Sequence, residues 1–246
     1  MPFTFSHPAI VLPFQFISKK YFSLTALIIG SMIPDFEYFL RLEPKSVHSH
    51  TLEGVFYFDL PLGILIAFLF HNLVKNSLFE NLPLFLKNRL YGFKDFHWNS
   101  YFKKHYLVVV FSLILGVFSH VFWDTFTHNT GFFVEKLSVL QSTFTVMNFE
   151  IPVFKFLQHS STLLGAFFIF LWIKSLPKKE VKSSANFYHY WKYVISISFL
   201  LVLIKNFFTY PNFHIGNFIV SSISMFFLSI LISSFIFQEN FKIKFN

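Results

Sequence analysis

Apolar residues in this chain occur in long uninterrupted runs rather than in strand-like alternation. Two short runs, 8–18 and 21–33, predict a tilted or re-entrant helical hairpin at the N-terminus, because each is too short to cross a bilayer as a helix. Five longer runs approach the ~20 residues that a helix needs to cross a ~30 Å hydrocarbon core. We therefore predict an all-α, polytopic transmembrane helix bundle, with the hairpin followed by five long spans at 55–74, 106–124, 160–176, 190–207 and 215–236.

The composition agrees with a membrane protein. Of 246 residues, 54% are hydrophobic and 13% are charged, whereas a soluble domain has ~25% charged residues. No nucleic-acid-binding motif accompanies the net charge of +8, so we expect the lipid bilayer, and no nucleic acid, as a partner. The chain has no cysteine, which excludes disulfides, thiolate metal sites and cysteine nucleophiles. The sequence leaves the oligomeric state open.

Lysine and arginine alternate between the loops and predict the orientation. Since cytoplasmic loops carry an excess of basic residues, we expect the lysine-rich segments to be cytoplasmic, including the C-terminus. These segments are the hairpin tip at 19–20, the loops 75–104 and 174–192, and the tail after 236.

Polar residues from separate parts of the chain then fall on the outer side of the membrane. Imidazole and carboxylate groups are ligands of divalent metal ions, and ionisable groups near a spanning run are costly unless they have a function. Their convergence predicts a metal site at the outer face. The candidate ligands are His7, Asp35, His50, His120, Asp124, His128 and His159.

The strongest local motif is formed by His120, Asp124 and His128. Steps of four residues turn by ~40° on an α-helix, so the three side chains share one helix face. The alternative is a helix end that reaches the membrane interface, where polar residues are ordinary. His120 lies inside the predicted end of the span, which favours ligation, and Thr127 is a candidate to orient a ligand by a hydrogen bond.

Two acidic residues follow the second short run. Asp35 is a candidate ligand, and its alternative is a simple loop carboxylate. Glu37 is a candidate proton acceptor, and Arg41, four residues later, offers the alternative of an ion pair. Taken singly, His7 and His159 are also compatible with ordinary surface histidines.

His48 and His50 precede the first long span. Residues two apart do not share a helix face, so we expect one of them to ligate and favour His50, which is nearer the apolar run. Ser49 or Thr51 has the alternative role of capping the helix. Asp59 lies inside the apolar run, where a carboxylate needs a partner such as a ligating histidine.

These residues belong to an ordered set of motifs in residues 1–175. The set resembles an uncharacterised family of polytopic bacterial membrane proteins, related to the membrane-bound metal-dependent hydrolases of the YdjM type. The resemblance implies a bacterial cytoplasmic (inner) membrane location and hydrolase chemistry. The motifs are Phe5-Ser6-His7-Pro8, Gly30-Ser-Met-Ile-Pro34-Asp35-Phe-Glu37, His50-Thr51-Leu, Phe58-Asp59-Leu-Pro61-Leu-Gly63, Ser119-His120-x3-Asp124-x2-Thr127-His128 and Leu157-Gln158-His159-Ser-Ser-Thr162-Leu-Leu-Gly165.

We therefore expect a membrane-embedded domain over 1–176, which carries the cluster, and two further transmembrane helices in 177–246. Nitrogen-rich ligands without thiolate favour zinc. The expected activity is metal-dependent hydrolysis, with Glu37 accepting a proton and a lipid or lipid-linked ester or phosphoester as the substrate. The alternative is a non-enzymatic membrane protein, either a metal or proton transporter or a structural scaffold.

Overall fold

The computed structural model describes residues 3–17, 20–209 and 214–243, without the side chains of 209 and 239–243. Lys19 and the lysines of the C-terminal tail therefore lie outside the described side chains. The structure is 75% helical with almost no strand, which confirms the predicted fold class. The described part contains five helices long and apolar enough to span a membrane, namely Leu52–Glu80, Trp98–Asp124, Val153–Ser175, Phe187–Phe208 and Ile215–Gln238.

The helices are numbered here in chain order. They are α1 (Pro8–Val11), α2 (Leu24–Gly30), α3 (Phe36–Arg41), α4 (Leu52–Glu80), α5 (Leu84–Leu90), α6 (Trp98–Asp124), α7 (Phe132–Lys136), α8 (Ser138–Gln141), α9 (Val153–Ser175), α10 (Phe187–Thr209) and α11 (Ile215–Ile243). Short 3₁₀ turns occur at Thr4–Ser6, Leu12–Phe16, Ile33–Asp35 and Tyr91–Phe93. Helix α4 contains π-helical turns at Val55–Asp59 and Phe70–Val74, and α6 is kinked at His105.

A β-hairpin between α8 and α9 was not anticipated by the hydropathy pattern. Strand β1 (Thr143–Val146) pairs antiparallel with β2 (Phe149–Pro152). The two turn residues, Met147 and Asn148, have φ of 46° and 69°, which is typical of a two-residue hairpin turn with positive φ at both positions. No residue of either strand is buried, and neither strand lies in one of the long apolar runs.

The chain folds as two compact units. The first comprises Met1–Asp35, His48–Ile64 and His105–Trp172, and the second comprises Phe36–Val47, Leu65–Lys104 and Ile173–Asn246. Every candidate metal ligand lies in the first unit, and Glu37 lies in the second.

Two glycines bring α2 and α6 into backbone contact in the first unit. A Cβ on Gly30 would lie 2.2 Å from the carbonyl oxygen of Leu113, and a Cβ on Gly116 would lie 2.6 Å from that of Leu27. Only glycine permits this approach. The contact carries the end of α2, and the turn that leads to Asp35, to the face of α6 that bears the polar motif.

In the second unit, a partly buried carboxylate organises the lysine-rich segment. Glu80 accepts hydrogen bonds from Lys87 (2.8 Å) and Tyr91 (3.0 Å) and forms an ion pair with Lys94. In the same unit, the Tyr190 hydroxyl of α10 lies 3.0 Å from the Ser234 hydroxyl of α11. Hydrogen bonds and ion pairs between side chains thus join separate elements of the second unit.

The glycine contact generates a stability prediction. Gly116→Ala should destabilise the protein by about 1–3 kcal/mol, because the added methyl group would overpack the α2–α6 interface. The loss should appear although Ala is intrinsically the better helix former by ~1 kcal/mol. Thermal unfolding of the detergent-solubilised protein measures it.

Gly92→Ala is the matched control, since a Cβ there would have its nearest neighbour at 3.8 Å, on Lys179. It should leave the midpoint of thermal unfolding unchanged. Equal losses at both glycines would contradict the close approach of α2 and α6.

Candidate metal centre

Five side chains from separate segments of the first unit converge on one small volume. His7 precedes α1, Asp35 ends a 3₁₀ turn, His50 precedes α4, and both His120 and Asp124 belong to the last turns of α6. Donor atoms of His7, Asp35 and His120 lie within 4.8 Å of one another, as do those of His50, His120 and Asp124. His120 belongs to both groups, so the two groups form one cluster.

The separations between donor atoms suit a common metal ion. His120 Nε2 lies 3.4 Å from Asp35 Oδ1 and 3.3 Å from Asp124 Oδ2. His50 Nε2 lies 3.7 Å and 3.6 Å from the same two oxygens, and His7 Nε2 lies 3.7 Å from Asp124 Oδ1. Two donors at ~2.1 Å from a tetrahedral zinc ion are ~3.4 Å apart. The donor–donor distances in the cluster are therefore close to those expected around a zinc ion.

Hydrogen bonds from outside the cluster orient two of these side chains. His120 Nδ1 lies 2.8 Å from the backbone carbonyl oxygen of Ser31. Because a carbonyl only accepts, Nδ1 carries the proton and the lone pair of the neutral ring is on Nε2, which faces the cluster. Asp35 Oδ2 accepts a hydrogen bond from Thr4 Oγ1 (2.6 Å), which directs Oδ1 at His120. Sequence reasoning missed Thr4, although it lies three residues before His7.

The cluster is buried and its polar atoms are poorly satisfied by the protein alone. His7, Asp35, His120 and Asp124 are all at most 5% exposed. Within the described residues, neither nitrogen of His7 has a hydrogen-bond partner, nor do His120 Nε2, Asp35 Oδ1 and both Asp124 oxygens. Leaving such groups buried without partners costs about 1–3 kcal/mol each. A cation at their centre would satisfy one nitrogen of each imidazole and the carboxylate oxygens that face it.

His7 and Asp35, which lie outside the spanning helices, have the protonation states that metal binding requires. Burial, and secondarily the nearby His120, lower the pKa of His7 to about 3, so its imidazole is neutral at pH 7 and has a lone pair to donate. Burial alone would raise the pKa of Asp35, but the surrounding imidazoles, His120 first, outweigh it and hold that pKa below its ordinary value. Asp35 is therefore ionised at neutral pH.

His50 reaches the cluster through an unusual backbone conformation. Its φ is 62°, in the left-handed region, which costs a residue other than glycine about 1–3 kcal/mol. The next residue, Thr51, caps α4 by accepting a hydrogen bond from Gly54 N (2.9 Å). His48 belongs to neither donor group, and its Nδ1 lies 3.0 Å from the Tyr57 hydroxyl.

Other predicted residues lie at or beyond the rim of the cluster. His128 Nδ1 lies 3.5 Å from Asp124 Oδ2, but His128 belongs to neither donor group. His159 is exposed on α9 and also belongs to neither. Asp59 is buried in the first π-helical turn of α4, and Thr127 Oγ1 donates to the carbonyl oxygen of Trp123 (3.4 Å). Ligand roles for His128 and His159, and supporting roles for Asp59 and Thr127, stay predictions.

Glu37 is buried and fully engaged with its neighbours. Its carboxylate accepts hydrogen bonds from Arg41 Nε (2.7 Å), Ser46 Oγ (3.1 Å) and Val47 N (2.9 Å). The ion pair with Arg41, which the sequence offered as the alternative, is thus present. The contacts fix the loop between α3 and His48, and they explain why an acidic residue is buried there.

Comparison with known proteins finds one family. The sequence model of a family described as a domain of unknown function, DUF4184, matches residues 1–235. The match extends beyond the resemblance seen over 1–175 and includes most of the last two spans. No curated protein and no solved structure matches the chain.

The shifted pKa of His7 predicts how the metal-free protein responds to acid. Between about pH 6.5 and pH 4, the unfolded chain binds a proton at residue 7 that the folded chain does not, so its free energy of unfolding should fall as the pH falls. His7→Gln should flatten this dependence, whereas the exposed His97→Gln should not. Chemical denaturation in detergent at several pH values measures the slope, and identical slopes for all three proteins would contradict the burial of His7.

Proposed function

The chain belongs to the DUF4184 family, and we propose that it is a membrane protein that holds one divalent metal ion and uses it for hydrolysis. The observation that carries the proposal is a set of three imidazoles and two carboxylates in two donor groups that share His120, with all of these side chains buried except the half-buried His50. The residues that would hold the ion are His7, Asp35, His50, His120 and Asp124.

The charge of the cluster favours a divalent cation. Asp35 and Asp124 together carry two negative charges in a buried site, and buried charges are stable only when they are paired. A divalent ion balances both, and three imidazole nitrogens without thiolate favour zinc.

When bound, a divalent metal ion supplies Lewis-acid chemistry, which makes water a nucleophile near neutral pH and polarises an ester or phosphoester. The protein contributes the orientation of its ligands through Ser31 and Thr4. It also surrounds them with apolar helices that limit the access of bulk water. This division of roles is the one expected of a metal-dependent hydrolase.

A proton acceptor is also needed, and we assign this role to His128 in preference to Glu37. His128 Nδ1 donates to the backbone carbonyl oxygen of Asp124 (3.1 Å), which leaves the lone pair on Nε2. Burial lowers the pKa of His128, so the ring is neutral at pH 7, and its side chain is 30% exposed. The Glu37 carboxylate, in contrast, is occupied by three donors.

The position of the cluster supports a membrane substrate. His50 lies just before the first residue of α4, and Asp124 is the last residue of α6, so the site lies at the polar ends of spanning helices. A lipid or lipid-linked ester or phosphoester would present its reactive group at that depth. We further propose that the membrane is a bacterial inner membrane and that this end of the spans faces outward, because the lysine-rich loops are expected at the cytoplasmic ends.

Metal content tests the site. His120→Ala and Asp124→Asn should reduce the metal bound per chain from stoichiometric to a small fraction, because each removes a ligand and leaves other buried donors unpaired. The measurement is elemental analysis of the detergent-solubilised protein after dialysis at neutral pH. Binding should also weaken below about pH 6, where protons compete for the imidazoles.

Matched controls come from the exposed segment before α6. His97→Ala and Asp95→Asn change the same residue types and should retain the metal, as should His128→Ala if it is a proton acceptor rather than a ligand. A metal content well below one ion per chain in the unmutated protein would refute the proposal. The cluster would then be a His–Asp network, as in the alternative of a non-enzymatic or proton-linked membrane protein.

The proposed orientation is tested separately. In this cysteine-free chain, Val139→Cys should react with a membrane-impermeant maleimide in intact cells, whereas Gly92→Cys should react only after the membrane is opened. Both positions are exposed. The reverse labelling pattern would show that the site faces the cytoplasm.

A further inference from the structure

An apolar cavity of about 440 Å³ adjoins the candidate metal centre in the first unit. Its wall is formed by the N-terminal segment around α1, by α9 and by the end of α6. The residues that line it include His7, Ile10, Trp123, Ser161, Leu164 and Phe168. A volume of this size lies in the ~300–1,000 Å³ range of small-molecule sites.

The cavity offers a ligand few polar groups, because both ring nitrogens of His7, the residue it shares with the donor cluster, are buried. Ser6 Oγ donates to the carbonyl oxygen of Thr162 (3.0 Å), and Ser161 Oγ donates to that of Gln158 (3.1 Å). Both hydroxyl protons are therefore used within the protein, and apart from the indole N–H of Trp123 the rest of the wall is hydrocarbon or aromatic. The matching ligand part is an alkyl chain.

The open side of the cavity faces the region expected to contact lipid. Leu164 and Phe168 lie in the spanning helix α9 and are 55% and 56% exposed, and Trp123 at the end of α6 is 37% exposed. A chain can therefore enter sideways from the bilayer without crossing water.

His7 joins the cavity to the donor cluster. It lines the cavity, its ring stacks on His120 at 3.8 Å between centroids, and its Nε2 lies 3.7 Å from Asp124 Oδ1. A chain in the cavity thus ends beside the buried imidazole that belongs to the donor cluster.

The wall is also held in a fixed position. Phe3 N donates to Thr162 Oγ1 (3.0 Å), and a Cβ on Gly165 would lie 2.8 Å from Ser6 Cβ. Helix α9 is therefore in close contact with the N-terminal segment along one edge of the cavity, which keeps the cavity from collapsing.

We propose that this cavity binds the alkyl chain of a membrane amphiphile whose polar group lies at His7. The inference rests on the proposed function, because it names the class of substrate that the metal centre would act on. Lipid is as apolar as the cavity, so burial of the chain by itself gains little. The polar group supplies the affinity, and the cavity decides which end of the molecule reaches the cluster.

The test uses palmitic acid with a photoreactive diazirine on its chain, added to the full-length natural protein in liposomes. After irradiation, mass spectrometry locates the adducts. We expect an excess on Ile10, Trp123 and Leu164 over Leu163 and Phe167, which are exposed on the same helix as Leu164 but do not line the cavity. Equal labelling of the two sets would mean ordinary contact with the bilayer and would overturn the inference.

Two variants fill the cavity from different elements without changing a candidate ligand: Ala9→Phe and Ser161→Phe. Each should reduce the labelling of the cavity residues to the level of Leu163. Because the two substitutions lie on different elements, misfolding of one variant leaves the other as a test. Ala166→Phe, on α9 outside the cavity lining, is the control and should keep the excess. An excess that survives in both cavity variants would refute the inference.

Metal content of the same samples separates the two proposals. Protein that holds metal but shows no excess labelling would refute only the alkyl-chain site. Protein that shows the excess but holds no metal would support the alkyl-chain site and refute the metal centre.

Discussion

The buried negative charge of Asp35 and Asp124 is the constraint on which the arrangement of the first unit depends. Both carboxylates are at most 5% exposed, and an ionised carboxylate in such a position costs several kcal/mol unless a cation compensates it. The compensating groups available in the cluster are the imidazoles of His7, His50 and His120, which are also the proposed metal ligands. A divalent ion held by all five side chains would balance the charge with each imidazole neutral.

The packing of the apolar helices positions the side chains of this polar cluster. Gly30 and Gly116 allow backbone contact between α2 and α6, and the Ser31 carbonyl then reaches His120 at 2.8 Å. The same approach carries Asp35 to the end of α6. Apolar packing thus fixes the positions of the donor atoms. The strained backbone at His50 is in turn stabilised by the structure around it.

His7 has two neighbours of opposite character, which gives the site its functional interpretation. Its ring stacks on His120, and the residue also belongs to the lining of a largely apolar cavity. An amphiphile, with a polar group and an alkyl chain, would suit both neighbours. The proposed lipid-like substrate therefore depends on the cavity as well as on the depth of the cluster.

The sequence by itself determined the features that depend on local order. The five spans follow from the length and hydropathy of continuous runs, and His120 and Asp124 share a face because residues four apart always do on an α-helix. The polar ends of the spans, and hence the type of chemistry at the site, could also be read from the residues.

Only the tertiary structure decided which polar residues meet. It left His159 exposed, and it carried His50, which the sequence already favoured over His48, into a donor group through a positive φ. It also revealed Thr4 as the partner of Asp35 and formed the cavity beside His7. These outcomes depend on contacts between segments far apart in the chain and on backbone angles at single residues, and neither hydropathy nor residue spacing encodes them.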